Sequence, residues 1–329
     1  MSRENMHATH GSDIQMEVVG LSKRFTVKHH GKNAVLNAVS DVSFTVRKGE
    51  TFSIVGESGC GKSTLGRCLA RLLEPSEGQV IFEGKDVGQL KRTALRELRR
   101  RIQFIFQDPY SSMNPRMRVR SILAEPLNNF SVPSSAITAR LDDLLRLVSL
   151  KPDSLDKYPH QFSGGQRQRL VIARALALEP DFIVCDEPVS ALDVSVQAQV
   201  INLLVDLQKD LQLTYLFISH DLSVVRHLSH KVAVMYLGRM VEVGTRSEIF
   251  QNPRHPYTKA LLAAVPRFSE ESRALPKSLR LSGEIPSPLS PPSGCAFRTR
   301  CPNAQAICAR ELPEARRFSP DHVVACHFA

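Results

Sequence analysis

Gly56-Glu57-Ser58-Gly59-Cys60-Gly61-Lys62-Ser63-Thr64 is the stretch around which the rest of the chain falls into place. Phe52-Ser53-Ile54-Val55 runs into it as a short buried strand, and residues 65–73 leave it with helical spacing. The unit is strand, glycine-rich turn, helix. The spacing G-x-x-x-x-G-K-S lets successive backbone N–H groups, from Gly56 through Thr64, curl around phosphate oxygens above the positive end of the helix. Lys62 reaches over the terminal phosphates, and the Ser63 hydroxyl is offered to Mg²⁺. This pattern predicts binding of a nucleoside triphosphate.

The bulk of the chain sets the frame. With 329 residues, 42% of them hydrophobic, there is material for one large or two ordinary domains. No run of 18 apolar residues occurs, and residues 1–13 lack the apolar segment of a secretory signal. The expectation is a cytoplasmic protein whose membrane role, if it has one, runs through a partner. A formal net charge of +10 suits phosphorylated ligands, nucleic acid or an anionic membrane face and does not choose among them. Cys60, Cys68 and Cys185 lie in apolar or glycine-rich contexts and read as plain thiols.

Upstream of the loop, residues 16–27 and 39–46 read as two strands of an antiparallel edge around a turn-rich basic stretch. Phe25, late in the first strand, is either an aromatic that stacks on a purine base or an ordinary core ring. Downstream, the basic run of residues 91–101 reads as a solvated helix face, because no aromatics are interleaved with its charges. Ile102-Gln103-Phe104-Ile105-Phe106 makes a buried strand ending at Gln107, whose amide is placed to ligate Mg²⁺ or orient water.

Residues 110–161 change character. Pro115, Pro126, Pro133 and Pro152 separate helical runs such as 139–150, predicting a helical insertion. It ends in Ser163-Gly164-Gly165-Gln166, which opens another helix: either a second phosphate-binding helix start or a plain serine cap. Phe182-Ile183-Val184-Cys185 then delivers Asp186 and Glu187 at a strand's carboxyl end. Asp186 is placed to hold Mg²⁺ and Glu187 to polarise the attacking water. After Ser190-Ala191-Leu192-Asp193, a strand at 215–218 ends in Ser219-His220-Asp221, bringing His220 toward the γ-phosphate. The loop, Gln107, Asp186-Glu187 and His220 thus share one sheet edge, where open α/β folds bind ligands.

In this order and spacing, these motifs resemble the full set of an ATP-binding-cassette (ABC) ATPase over residues from about 16 to 265. The resemblance implies an α/β fold: a RecA-like P-loop ATPase core with an antiparallel β edge and a helical subdomain. It implies that Glu187 and His220 are catalytic, that Ser63, Gln107 and Asp186 hold Mg²⁺, and that Phe25 stacks on adenine. It also implies that Ser163, Gly164, Gly165 and Gln166 contact ATP held by the opposite subunit of a head-to-tail dimer, and that Asp193 is a further ATP-binding residue. Phe162 stands where many family members carry leucine, which leaves the polar atoms of that motif intact.

The segments Gln107-Asp108-Pro109-Tyr110-Ser111-Ser112-Met113-Asn114-Pro115-Arg116, Tyr158-Pro159-His160-Gln161-Phe162 and Asn252-Pro253-Arg254-His255-Pro256-Tyr257-Thr258 resemble the ATPase subunits of dipeptide and oligopeptide importers. So does the tail, where Gly283-Glu284-Ile285-Pro286-Ser287-Pro288 precedes Cys295, Cys301, Cys308 and Cys326. Nine of the twenty prolines fall between Pro266 and Pro320, which excludes one long helix there. The expected organisation is a disordered N-terminus at 1–13, a nucleotide-binding domain at 14–265 with its helical part at about 108–170, and a small C-terminal domain at 266–329. Four cysteines at this spacing leave open a metal site, disulfides or free thiols; relatives imply a [4Fe–4S] cluster, and the spacing departs from zinc-finger pairs. The importer resemblance implies a paralogous ATPase partner, two transmembrane permease subunits and an extracytoplasmic peptide-binding protein, with the chain peripheral on the cytoplasmic face of the inner membrane. Nucleic acid is not expected as a partner. The competing classes are an ATPase for another solute such as nickel or a glycosylated peptide, and a soluble cassette acting in DNA repair or on ribosomes. The latter usually carries tandem cassettes or long coiled-coil insertions, which this sequence lacks. A nucleotide-binding regulator without turnover would be expected to lose Glu187 or His220, and both are present.

Overall fold

The computed structural model describes residues 13–29, 31–110, 112–264 and 283–329. The N-terminal disorder expected for residues 1–13 therefore lies, apart from Asp13, outside the described residues, as does the expected domain boundary at 265/266.

Two long strands open the chain, β1 (Ile14–His29) and β2 (Lys32–Arg47), followed by the short β3 (Thr51–Val55), every residue of which is buried. Helix α1 (Lys62–Leu69) follows the loop, then β4 (Glu77–Phe82), β5 (Lys85–Asp86), α2 (Arg92–Arg101) and β6 (Ile102–Ile105). The first two strands pair antiparallel, as expected. They form a separate four-stranded antiparallel sheet in the order β2-β1-β4-β5. The reason is β4, which returns after the first helix to pair with β1 and gives the hairpin a second neighbour. In α2 only Leu98 is fully buried; Arg96 donates to the Asn129 carbonyl and lies over the Phe130 ring, and Arg101 pairs with Glu83 and Asp181.

The helical insertion comprises α3 (Val119–Asn129) and α4 (Ser134–Leu147), and it packs on α5 (Gly164–Leu176) through Leu123, Leu144, Leu145 and Leu170. Pro126, expected to separate helical runs, lies inside α3. It sits within the last turn, so only one turn of helix continues beyond the hydrogen bond its missing N–H forfeits. Then come β7 (Phe182–Asp186), α6 (Val194–Leu211), β8 (Thr214–Ser219), α7 (Leu222–Leu228), β9 (Lys231–Tyr236), β10 (Arg239–Thr245), α8 (Arg246–Gln251) and α9 (Pro256–Ala264). The tail adds α10 (Ala306–Arg310), β11 (Ala315–Arg317) and β12 (Val323–Ala325).

The main sheet has eight strands in the order β11-β12-β10-β9-β3-β8-β7-β6. Strands β9, β3, β8, β7 and β6 run parallel, and they read as continuous apolar runs because helices cover both faces. The phosphate-loop strand β3 sits between β8 and β9, so the ends of β6, β7 and β8 reach one edge beside it. Residues 283–329 are continuous with this core: β12 pairs with β10, and Phe297 is buried against Tyr236 and Tyr257. Among the described residues no helix is long and apolar enough to cross a membrane.

Candidate functional site

The loop owes its shape to two backbone neighbours. A Cβ on Gly56 would lie 2.2 Å from the Met235 carbonyl oxygen, and one on Gly61 would lie 2.0 Å from that of Ala38. Gly61 has φ +107°, a conformation side chains with L chirality rarely adopt, and it caps α1. The amide of Gly238 donates to the Cys60 carbonyl at 2.8 Å, fastening the loop to the β9–β10 turn. The buried Lys62 ammonium donates to the carbonyls of Gly56 (2.8 Å) and Glu57 (3.0 Å). Burial raises the Cys60 thiol pKa, against the lowering effect of Lys62, so Cys60 is a packed thiol of the loop.

A cavity of about 360 Å³ lies over this loop, lined by Ser58, Gly59, Gly61, Lys62, Ser63 and Thr64. Phe25, Gln107 and Glu187 line it too. Phe25 is half-buried, with the Lys23 ammonium 5.0 Å from its ring centroid, and it faces this cavity instead of joining the core clusters. The Ser63 hydroxyl donates to Asp186 Oδ1 at 2.7 Å. Burial pushes the Asp186 carboxyl upward, opposed by that hydrogen bond and by Arg67. A divalent cation between Ser63 and Asp186 would favour the ionised carboxylate that burial disfavours.

Glu187, one residue on, has φ +47°, which turns its side chain across the sheet edge. Its Oε2 accepts from Gln107 Nε2 at 3.0 Å and lies 3.2 Å from His220 Nδ1. The Glu187 side chain is only 11% exposed, whereas His220 is 53% exposed and faces the open side. A half-buried carboxylate held by an amide, next to a candidate cation-binding pair and a phosphate cradle, can activate water for attack on a terminal phosphate.

The remaining expected residues stand elsewhere. Ser163 caps α5 through a reciprocal pair, its Oγ accepting from Gln166 N–H and Gln166 Oε1 accepting from Ser163 N–H. Ser163, Gly164 and Gln166 are exposed and do not line the cavity. Asp193 is exposed at the start of α6 without capping it, also outside the cavity. The α5 start is pressed onto α6: a Cβ on Gly165 would meet Val196 Cγ1 at 2.4 Å. One chain thus assembles the loop, Phe25, Gln107, Asp186, Glu187 and His220, and leaves the serine–glycine helix start facing outward.

Cys295, Cys301, Cys308 and Cys326 form no disulfide. Burial raises the pKa of Cys295, Cys301 and Cys326, and the charges of other tail cysteines add to it. Among the described residues no group of three or more His, Cys, Asp or Glu is arranged to hold a metal ion. The described residues thus give no support to the [4Fe–4S] cluster that relatives imply, nor to a zinc site.

Three residues near the loop escape a reading of the sequence. Tyr257 Oη accepts from the Glu57 amide at 3.0 Å, Pro288 lines the cavity, and Arg300 binds both carboxylate oxygens of Glu57 at 2.7 and 2.9 Å. Arg300 sits 243 positions from Glu57, among cysteines that draw the eye, and no local pattern links the two.

Residues 39–190 match the ABC transporter family, and residues 241–308 match the oligopeptide/dipeptide transporter C-terminal region. An oligopeptide transport ATP-binding protein of Bacillus subtilis is 53% identical over 89% of both chains. A probable peptide ABC transporter ATP-binding protein of Sinorhizobium fredii is 51% identical, covering 96% of this chain and 90% of its own. Among solved structures, CbiO1 of Clostridium perfringens, part of an ABC transporter complex, superposes with a TM-score of 0.64 at 29% identity, over 73% of this chain and 92% of its own. The dimeric cassette MJ0796 in a post-hydrolysis state with ADP and phosphate gives 0.63 at 27% identity, over 70% and 98%.

Proposed function

The chain belongs to the ABC transporter ATP-binding proteins of the oligopeptide type, and from that premise we propose how its residues energise import of di- and oligopeptides. It is an ATP hydrolase that uses Mg²⁺. The observation that carries the reading is the Glu187 carboxylate, held by Gln107 and set beside the Ser63–Asp186 pair at the mouth of the phosphate-loop cavity.

In this proposal, loop amides and Lys62 bind the β- and γ-phosphates, and Lys62 exchanges its carbonyl partners for phosphate oxygens. Phe25 stacks on the adenine. Ser63, Gln107 and Asp186 would hold Mg²⁺, which would supply charge neutralisation at the phosphates. Glu187 accepts a proton from the attacking water, and His220 contacts the γ-phosphate from the open side. The outward-facing Ser163, Gly164, Gly165 and Gln166, with Asp193, close over ATP on a paralogous ATPase subunit; the exposure of this capped helix start supports that reading.

Next to Gln107 an apolar groove of about 320 Å³ separates the main sheet from the helical insertion, with Leu72 and Phe106 exposed along it. We assign it to one of two transmembrane permease subunits, so that closure at Gln107 moves the docking groove. An extracytoplasmic peptide-binding protein completes the importer, and the chain is peripheral on the cytoplasmic face of the membrane. The resemblance implies a [4Fe–4S] cluster on Cys295, Cys301, Cys308 and Cys326; thiolates as a class suit such soft-metal chemistry, and no step above passes through it. Iron and sulfide near about four each per chain in anaerobically purified protein would establish the cluster, and colourless, iron-free protein would remove it.

The test is co-purification from membranes, followed by ATPase assay in proteoliposomes with the binding protein. Stimulation by oligopeptides supports the reading. Stimulation by nickel or a glycosylated peptide instead would reassign the cargo, and failure to recover permeases would overturn the transport role.

A further inference from the structure

We propose that Arg300, in the C-terminal tail, is a positioning residue for ATP, acting through Glu57 of the phosphate loop. The proposal rests on the nucleotide-site reading above. Glu57 is the second residue of the loop, and its backbone already has two fixed contacts: its N–H donates to Tyr257 Oη, and its carbonyl accepts from Lys62 Nζ. Its carboxylate carries a negative charge on a loop whose ligand is a polyanion. Arg300 engages both oxygens in a parallel pair, Nη1 to Oε2 at 2.7 Å and Nη2 to Oε1 at 2.9 Å. Such a bidentate pair fixes the carboxylate's direction as well as its charge.

The guanidinium is not a surface group that happens to drift near. Its side chain is 5% exposed, it lies over the Tyr236 ring, and its backbone N–H is bonded to the carbonyl of the buried Phe297. Phe297 in turn packs on Tyr257, the residue that holds the Glu57 amide. The same tail reaches the cavity a second time through Pro288. It is anchored to the main sheet by the β10–β12 pairing, by the buried His322–Glu242 pair at 2.8 Å and by Lys231–Asp321 at 2.5 Å. Withdrawing Arg300 leaves an uncompensated carboxylate on the residue next to Ser58, which lines the cavity, although Glu57 itself does not. Its repulsion grows with the charge of the nucleotide.

The experiment measures MgATP, MgADP and adenosine binding by full-length wild-type, R300Q, R300K, E57Q and E57Q/R300Q chains, together with the KM and kcat of each. R300Q is expected to weaken MgATP about tenfold, MgADP less and adenosine not at all, with the loss in KM and kcat nearly kept. R300K, a point charge without the fork, recovers part of it. In the E57Q background the R300Q change is expected to have less than about a twofold effect, because the charge it neutralises is gone. Equal affinities of R300Q and wild type, an equal loss for ATP and adenosine, or additive losses in the double variant would overturn the proposal. Should R300Q fail to fold, R300K carries the comparison with wild type: a loss of affinity for MgATP without a loss for adenosine supports the proposal, and equal MgATP affinities overturn it. Wild-type protein that does not bind MgATP would overturn the nucleotide site itself; wild-type binding with R300Q unchanged overturns only the role of Arg300.

Discussion

Glu187 Oε2 accepts a hydrogen bond from Gln107 Nε2 at 3.0 Å, although the two residues follow different strands, β7 and β6, that lie side by side in the sheet. The contact points the carboxylate into the cavity before any nucleotide arrives. Glu187→Gln keeps the shape and removes the basicity, so kcat is expected to fall by about 10² to 10⁴-fold while MgATP affinity is retained and closed dimers accumulate. Rapid-mixing turnover and light scattering check this; unchanged steady-state hydrolysis would contradict the assigned role.

The outward placement of Ser163 sets a different expectation. Ser163→Arg adds bulk and charge at an exposed helix start that does not line its own cavity. In a mixed dimer carrying it on one subunit, hydrolysis is expected to stop at the site built from the other subunit's phosphate loop. Pairing it with a Lys62→Ala change on one subunit at a time separates the two sites, and loss confined to the chain's own loop would show the cross-subunit assignment to be wrong.

Much of this arrangement is legible in the sequence because it is local. A strand, a glycine turn and a helix follow within about twenty residues, and Asp186-Glu187 close a short apolar run whose meaning comes from the phosphate loop that precedes it. The ordering of strand ends along one edge then follows from parallel topology. Contacts made between distant segments are not legible. Nothing near Glu57 signals that Arg300 will cover it, and nothing in residues 16–27 signals that β4 will return to make a separate sheet. Pro126 reads as a break although it is helical, because its position within the last turn depends on where α3 begins.

Gly61 and Gly59 offer a matched pair for the loop. Both have positive φ, but a Cβ on Gly59 meets open space, whereas one on Gly61 collides with the Ala38 carbonyl. Gly59→Ala is expected to cost about 1 kcal/mol for the left-handed backbone alone. Gly61→Ala must also push β2 away from the loop, at about 2–4 kcal/mol, and should abolish measurable MgATP binding. Denaturation midpoints and nucleotide titration of both variants compare the two costs; equal effects would mean that the loop is not pinched against Ala38.

His255 makes the fold sensitive to acid. It is 1% exposed, its Nδ1 accepts from the Tyr257 N–H at 3.0 Å, and its backbone N–H donates to Glu242. Burial, and then the nearby Lys259 charge, push its pKa from 6.5 down to about 4. The folded state thus keeps the ring neutral where the unfolded chain takes up a proton. This contribution is complete above pH 6.5 and is lost as pH falls toward about 4, below which both states are protonated. Each tenfold difference in proton affinity between the two states is worth about 1.4 kcal/mol, so the loss is about 3 kcal/mol across that window. Protonation also removes the acceptor for Tyr257, whose hydroxyl holds the phosphate loop at Glu57, so acid weakens the loop's anchor along with global stability. His255→Asn retains an acceptor and cannot titrate; urea midpoints measured between pH 7 and pH 4 are expected to fall less steeply in this variant than in the wild type, and parallel curves would exclude His255 as the acid-sensitive group.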